Sequence, residues 1–168
     1  MTCLCLVFVA LSLLIPVESK VNSTFPAIII NMSNLQVETT KITVEGSWSS
    51  AITKTSRQNF KGNICIYALD YTSAETGWVL DFEVNEEPST EILSGGFFYN
   101  YNSDSPAPAY GWLYTNREHN KYVIVTNQFD SQSKNYIVIA PAETVGDAWQ
   151  VCDTMGVHVP TSDESYSS

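Results

Sequence analysis

Basic residues are scarce in this chain of 168 residues. Eight lysines and arginines stand against 18 aspartates and glutamates, which gives a formal net charge of −10. Nucleic-acid binding needs a basic surface that neutralises phosphates, so no nucleic-acid partner is expected. Anionic membrane surfaces are disfavoured for the same reason. The excess of acidic residues is expected to act mainly on solubility.

Histidine is scarcer still, with only His119 in a predicted turn and His158 near the C-terminus. Both are expected to be solvated. The sequence has no Gly-x-Ser-x-Gly elbow, no Cys/His spacing typical of zinc and no calcium-loop pattern. The acidic cluster between Asp81 and Glu87 is interpreted as solvated strand and turn residues. We therefore expect no enzymatic activity, no cofactor and no metal.

The sequence also lacks an apolar run of comfortable membrane-spanning length. Its N-terminal stretch is apolar and carries no charge before Glu18, which predicts a signal peptide over residues 1–19, although no basic residue precedes the apolar run. The alternative is an uncleaved membrane anchor. Asn22 and Asn31 each begin a glycan-acceptor pattern. The chain is therefore predicted to be a secreted, extracellular glycoprotein without a membrane partner.

Only four cysteines occur, and Cys3 and Cys5 belong to the predicted signal peptide. Cys65 and Cys152 remain in the mature chain. An even pair in an oxidising compartment predicts one disulfide between them. The alternative is two buried free thiols.

Aromatic residues are plentiful, with nine Tyr, seven Phe and four Trp. Trp78, Leu80, Phe82 and Val84 alternate with mainly polar residues, which is the pattern of a half-buried strand. Further strands are predicted at Asn63–Tyr71, Glu91–Tyr101, Tyr110–Asn116, Tyr122–Thr126 and Asn135–Ala140. Short strands at regular spacing with polar turns indicate an antiparallel barrel or sandwich.

The C-terminal part of the chain has the only helical periodicity. Pro141 suits a first helical position, and Gly156 is a predicted helix stop. No linker divides the chain, so one domain is expected. Its predicted parts are a lead-in segment at 20–45, a barrel with its closing helix at 46–160 and a disordered tail at 161–168.

Together these features resemble the lipocalin family, in particular the secreted arthropod-type lipocalins. Gly46-Ser47-Trp48 is similar to the Gly-x-Trp motif at the start of the first barrel strand. The hairpin containing Thr126-Asn127-Gln128 is similar to the second motif, although Asn127 and Gln128 replace its Asp and Tyr. The C-terminal helix, and the Cys65 and Cys152 pair, also fit the family pattern. The lead-in segment could supply a strand that is missing before the helix.

The resemblance implies an all-β, antiparallel up-and-down barrel with one C-terminal α-helix. It also implies that Gly46 and Trp48 are structural, with Trp48 closing the barrel floor. The arginine that covers this tryptophan in the family has no counterpart here, so an unusual or absent lid is expected.

Strand alternation suggests which side chains face the barrel interior. The predicted ligand-binding residues are Trp78, Leu80, Phe82, Phe98, Tyr114, Val123 and Val125. The expected function is a secreted carrier of a small hydrophobic ligand. The alternative is an extracellular β-sandwich with no cavity that acts through contacts with a protein partner.

Overall fold

The computed structural model describes residues 16–51, 57–72, 80–86, 91–99, 109–128 and 134–158. The elements follow the order β1 (Pro16–Asn31), β2 (Gln36–Ala51), β3 (Arg57–Ile66), a short 3₁₀ helix (Asp70–Thr72), β4 (Leu80–Glu86), β5 (Ile92–Tyr99), β6 (Ala109–Asn116), β7 (Tyr122–Gln128), β8 (Lys134–Ala140) and α1 (Val145–Met155). Neighbouring strands pair antiparallel in chain order, and β8 returns to β1. The predicted up-and-down barrel with one C-terminal helix is confirmed.

The segment 20–45 forms most of β1 and the first half of β2. These two strands pair along their whole lengths, from Pro16 opposite Ala51 to Asn31 opposite Gln36. The last four residues of β1, Ile28–Asn31, also pair with β8 and close the barrel. The lead-in segment therefore supplies the barrel strand for which the sequence shows no candidate just before the helix. Gly46 and Trp48 consequently lie in the second half of β2, not at the start of a first strand.

Alternation along the strands divides the apolar side chains between two clusters. The inner cluster fills the barrel and takes residues from all eight strands. The outer cluster lies between helix α1 and the outside of the barrel. Its buried members include Ile28 and Ile30 of β1, Val123 of β7, Ile137 and Ile139 of β8, and Ala148, Val151, Cys152 and Met155 of α1.

Helix α1 begins at Val145 and not at Pro141, because Thr144 is extended and acts as the N-cap. The Thr144 hydroxyl accepts from the Asp147 backbone N–H at 3.2 Å, and the Asp147 carboxylate accepts from the Thr144 backbone N–H at 2.9 Å. These reciprocal bonds form a capping box. Gly156 ends the helix with a left-handed backbone at φ 61°, which confirms the helix stop predicted for this glycine.

The predicted disulfide is wrong, since Cys65 and Cys152 are both free thiols. Cys65 lies on β3, opposite Thr43 of β2. Cys152 is buried beneath α1 in the outer cluster, which rests on β1, β7 and β8. Strand β2 therefore separates the helix from β3. Burial beside Asp153 raises the pKa of the Cys152 thiol to about 11.

The helices in the described part of the chain are all too short or too polar to cross a lipid bilayer.

Candidate functional site

Aromatic rings pack tightly at one end of the barrel, which we call the floor. Trp48 lies 4.8 Å from Phe60 and 6.4 Å from Phe82, measured between ring centroids. Phe82 lies 5.2 Å from Phe97 in turn. Edge and tilted contacts of this kind add to the stabilisation from burial. The rings bring β2, β3, β4 and β5 together and leave Trp48 only 2 % exposed.

Gly46 is required for the close approach of β2 and β3 above the floor. A Cβ at Gly46 would lie 2.4 Å from the carbonyl oxygen of Lys61, and its pairing partner Gly62 is equally crowded. Backbones can approach this closely only where side chains are missing.

His119 covers Trp48 from outside the aromatic layer. The two rings are stacked at 2° with centroids 4.1 Å apart. His119 Nε2 lies 2.9 Å from Gln58 Oε1. Because an amide oxygen can only accept, Nε2 carries the proton and Nδ1 is an acceptor. The expectation that His119 is solvated is therefore wrong. His119 covers Trp48 at the place where the resemblance implied an arginine.

The β6–β7 turn holds His119 in place. The backbone of His119 is in the left-handed region, with φ at 52°. The Tyr122 hydroxyl donates to the His119 carbonyl at 2.5 Å, and the Asn116 side chain accepts from the backbone N–H groups of Asn120 and Lys121. Arg117 also pairs with Glu86 on β4. Hydrogen bonds thus connect the turn to β6 and β7, and an ion pair connects it to β4.

Burial at the floor shifts the acid–base equilibria of two side chains. Desolvation lowers the pKa of His119 from 6.5 to about 4, because the imidazolium form is disfavoured there. Within the part of the chain that the structure describes, the buried atoms His119 Nδ1 and Trp48 Nε1 have no hydrogen-bond partner. Burial raises the pKa of Tyr122 above its usual range. The floor is therefore neutral and apolar at physiological pH.

The opposite end of the barrel carries an open cleft of about 480 Å³, which we call the mouth cleft. It is lined by Ile29, Asn31, Asn34, Gln36, Glu38, Ala68 and Tyr136. Strand β3 ends opposite Ile42, so within the described residues no strand pairs with the other edge of β2 at the mouth. The turn after β3 faces this gap, where the Ala68 N–H donates to Thr40 Oγ1 at 3.1 Å.

The mouth cleft combines an apolar base with polar walls. Ile29 is buried in the inner cluster, and Tyr136 packs against that cluster while half-buried. Asn31 Oδ1 accepts from the Ser33 N–H at 2.9 Å, which orders the rim. Glu38 adds a solvent-exposed carboxylate on the same face of β2. A molecule with an apolar body and a polar group matches this lining.

The predicted ligand-binding residues separate into three groups. Leu80 and Phe82 point inward, where they pack in the inner cluster. Tyr114, Val123 and Val125 belong to the outer cluster beside α1, so the expectation that they line the interior is wrong. Leu113, Tyr122 and Ile124 occupy the inner positions instead. Trp78 and the Phe98 side chain lie outside the described residues.

The two glycan-acceptor residues both lie on β1. Asn22 is exposed, and Asn31 is half-buried at the rim of the mouth cleft. In the described part of the chain, no three His, Cys, Asp or Glu side chains come together in a group that could hold a metal ion.

Sequence reasoning missed His119, Gln58 and Tyr136 as parts of the two barrel ends. Strand alternation could have placed Tyr136 on the inner face of the barrel, because it lies on the same face of β8 as Val138 and Ala140. No local pattern indicated that His119 would reach Trp48, 71 positions earlier in the chain.

Comparison of this chain with protein-family descriptions, with curated proteins and with solved structures found no match. The eight-stranded barrel with its C-terminal helix is nevertheless consistent with a lipocalin-like fold.

Proposed function

We propose that this chain is a secreted, lipocalin-like carrier that binds one small hydrophobic molecule in the mouth cleft. The observation that carries the proposal is the contrast between the two ends of one closed barrel. One end is sealed by Trp48 and His119, and the other opens onto a cleft that reaches the inner face. A barrel closed at one end and open at the other is the geometry of a ligand-binding calyx.

The lining of the cleft sets the chemistry of the ligand. Ile29 and the ring of Tyr136 offer apolar surface, so the body of the ligand is hydrophobic. Asn31, Gln36 and Glu38 offer amide and carboxylate groups at the rim, so a polar group of the ligand faces outward. The inner residues below, including Ile42, Val44 and Phe60, are fully buried. Binding is therefore proposed at the mouth and not next to Trp48.

We propose binding without catalysis. His119 is engaged by Trp48 and Gln58 at the floor, and the cleft lies at the other end of the barrel. The alternative of an extracellular β-sandwich that acts through protein contacts is not favoured, because the sheet closes on itself as a barrel.

The test uses Nile red, a neutral probe that fluoresces in apolar surroundings, with the Ala68→Trp variant. Ala68 is exposed and lines the mouth cleft, so a tryptophan at this turn position is expected to occupy part of the cleft without entering the core. Wild-type protein is expected to bind about one probe with micromolar affinity. The Ala68→Trp variant is expected to bind about tenfold more weakly or not at all.

Val37→Trp is the matched control. Val37 is 44 % exposed and lies on the other face of β2, between Gln36 and Glu38. Its variant should bind the probe as the wild type does. Absence of binding by folded wild-type protein would sink the carrier proposal. Equal binding by the Ala68→Trp variant would place the ligand outside the mouth cleft.

A further inference from the structure

Among the side chains that the structure describes, those on the outer face of strands β5 to β8 carry no charge, although the chain as a whole is strongly acidic. The side chains described on this face that are exposed or half-buried are Tyr110, Trp112, Tyr114, Asn116, Val125, Asn127 and Asn135. None of these is acidic or basic, whereas β4 next to them carries Asp81 and Glu83. A neutral surface in such a chain indicates a neutral partner, since a cationic partner would prefer the acidic surfaces.

Two large aromatic rings on β6 are presented to solvent on this face. Trp112 is 45 % exposed and Tyr110 is 39 % exposed. Trp112 pairs with Gly96 of β5, and a Cβ at Gly96 would lie 3.1 Å from two carbon atoms of the indole ring. The indole therefore lies over the glycine backbone. The exposed part of the ring faces solvent, where a flat group of a ligand can stack.

A cleft of about 260 Å³ adjoins these rings on the side of β7 and β8. It is lined by Met32, Tyr114, Val123, Val125, Asn127, Asn135, Ile137, Val157 and His158. Asn127 lies directly opposite both Tyr110 and Asn135, so two amides continue the row that begins with an aromatic ring. Side chains directly opposite on paired strands stand about 5 Å apart. A group stacked on Tyr110 is thus within reach of the Asn127 amide.

We infer that this face, from Tyr110 and Trp112 to the cleft at Asn127 and Asn135, is a binding site for a neutral oligosaccharide. Sugar rings present apolar C–H faces that stack on aromatic rings, and hydroxyl groups at their edges. An asparagine amide donates and accepts hydrogen bonds, so it matches hydroxyl groups of either role. The net charge of −10 disfavours sulfated or carboxylated glycans. This site is separate from the mouth cleft, with which it shares no lining residue.

Isothermal titration calorimetry with chitohexaose and cellohexaose tests the inference, using protein that carries no glycan of its own. Wild-type protein is expected to bind at least one of these neutral hexasaccharides and to show no binding of a heparin hexasaccharide. The Trp112→Ala and Tyr110→Ala variants are each expected to weaken binding by about tenfold. Asn127→Asp, which keeps the side-chain shape but loses the amide donor, is also expected to weaken binding.

Tyr67→Ala provides the matched control, because Tyr67 is 63 % exposed but lies in the turn after β3. It should bind as the wild type does, and far-ultraviolet circular dichroism confirms that each variant is folded. The inference is overturned if the wild type binds no neutral hexasaccharide, or if folded variants bind equally well. It is also overturned if sedimentation shows a wild-type dimer that Trp112→Ala separates, since the face then serves self-association.

Discussion

At the residue scale, His119 does for Trp48 what the resemblance expected of an arginine. A flat ring stacked at 4.1 Å covers the indole and seals the floor. The difference lies in charge, since an arginine stays protonated whereas this imidazole is neutral and desolvated. The floor therefore acquires a sensitivity to acid that an arginine lid would lack.

We predict that this lid makes the stability of the barrel fall between about pH 6.5 and pH 4. The pKa of His119 is lowered from 6.5 to about 4 in the folded state. Between these pH values the unfolded chain therefore binds a proton at His119 that the folded chain does not bind. The contribution is complete above pH 6.5 and is lost as the pH falls toward 4. At pH 5 we expect a loss on the order of 2 kcal/mol relative to pH 7.5.

Urea unfolding of the wild type and of His119→Gln at the two pH values measures this loss. Glutamine does not titrate, whereas the carboxylates titrate in both proteins. The variant should be less stable at pH 7.5, because the stacked ring is gone, but its stability should change less on acidification. An identical pH dependence in the two proteins would show that His119 does not titrate as its burial requires.

At the element scale, the sequence indicates which segments are strands but not which side of each strand faces inward. Strand β4 alternates clearly, and Leu80 and Phe82 point inward as predicted. Strand β7 has apolar residues on both faces, because its outer face is covered by α1. Alternation cannot show which face of such a strand points inward. The prediction that Val123 and Val125 line the barrel interior is therefore wrong. The prediction of a disulfide between Cys65 and Cys152 is wrong for a related reason. Tertiary contacts place α1 against β1, β7 and β8, and no local sequence pattern indicates that position.

Helix α1 offers a direct test at this scale. Thr144→Ala removes the hydroxyl that accepts from the Asp147 N–H and should destabilise the protein by about 1 kcal/mol. Thr144→Ser keeps the hydroxyl and should stay close to the wild type. Chemical denaturation of the three proteins provides the comparison. A loss in the serine variant as large as that in the alanine variant would mean that the capping bond is not the cause.

At the scale of the whole molecule, the barrel depends on the segment before the Gly-x-Trp motif. The sequence predicted a barrel because regular, alternating strands have few other ways to bury one face. It could not decide the closing pair, because β1 and β8 are distant in the chain and their pairing covers only four residues of β1. The rest of β1 extends past this seam and remains paired with β2 alone within the described residues.

This geometry predicts an uneven pattern of hydrogen exchange along β1 and β8. An edge strand directs alternate amides away from its single partner, so every second amide between Lys20 and Thr24 should exchange quickly. In the seam, Ile28–Asn31 and Tyr136–Ile139 are paired on both sides, so consecutive amides should all be protected. Residue-resolved exchange by NMR distinguishes the two patterns. Alternating protection from Tyr136 to Ile139 would mean that β8 pairs only with β7, and that the barrel is open at this seam in solution.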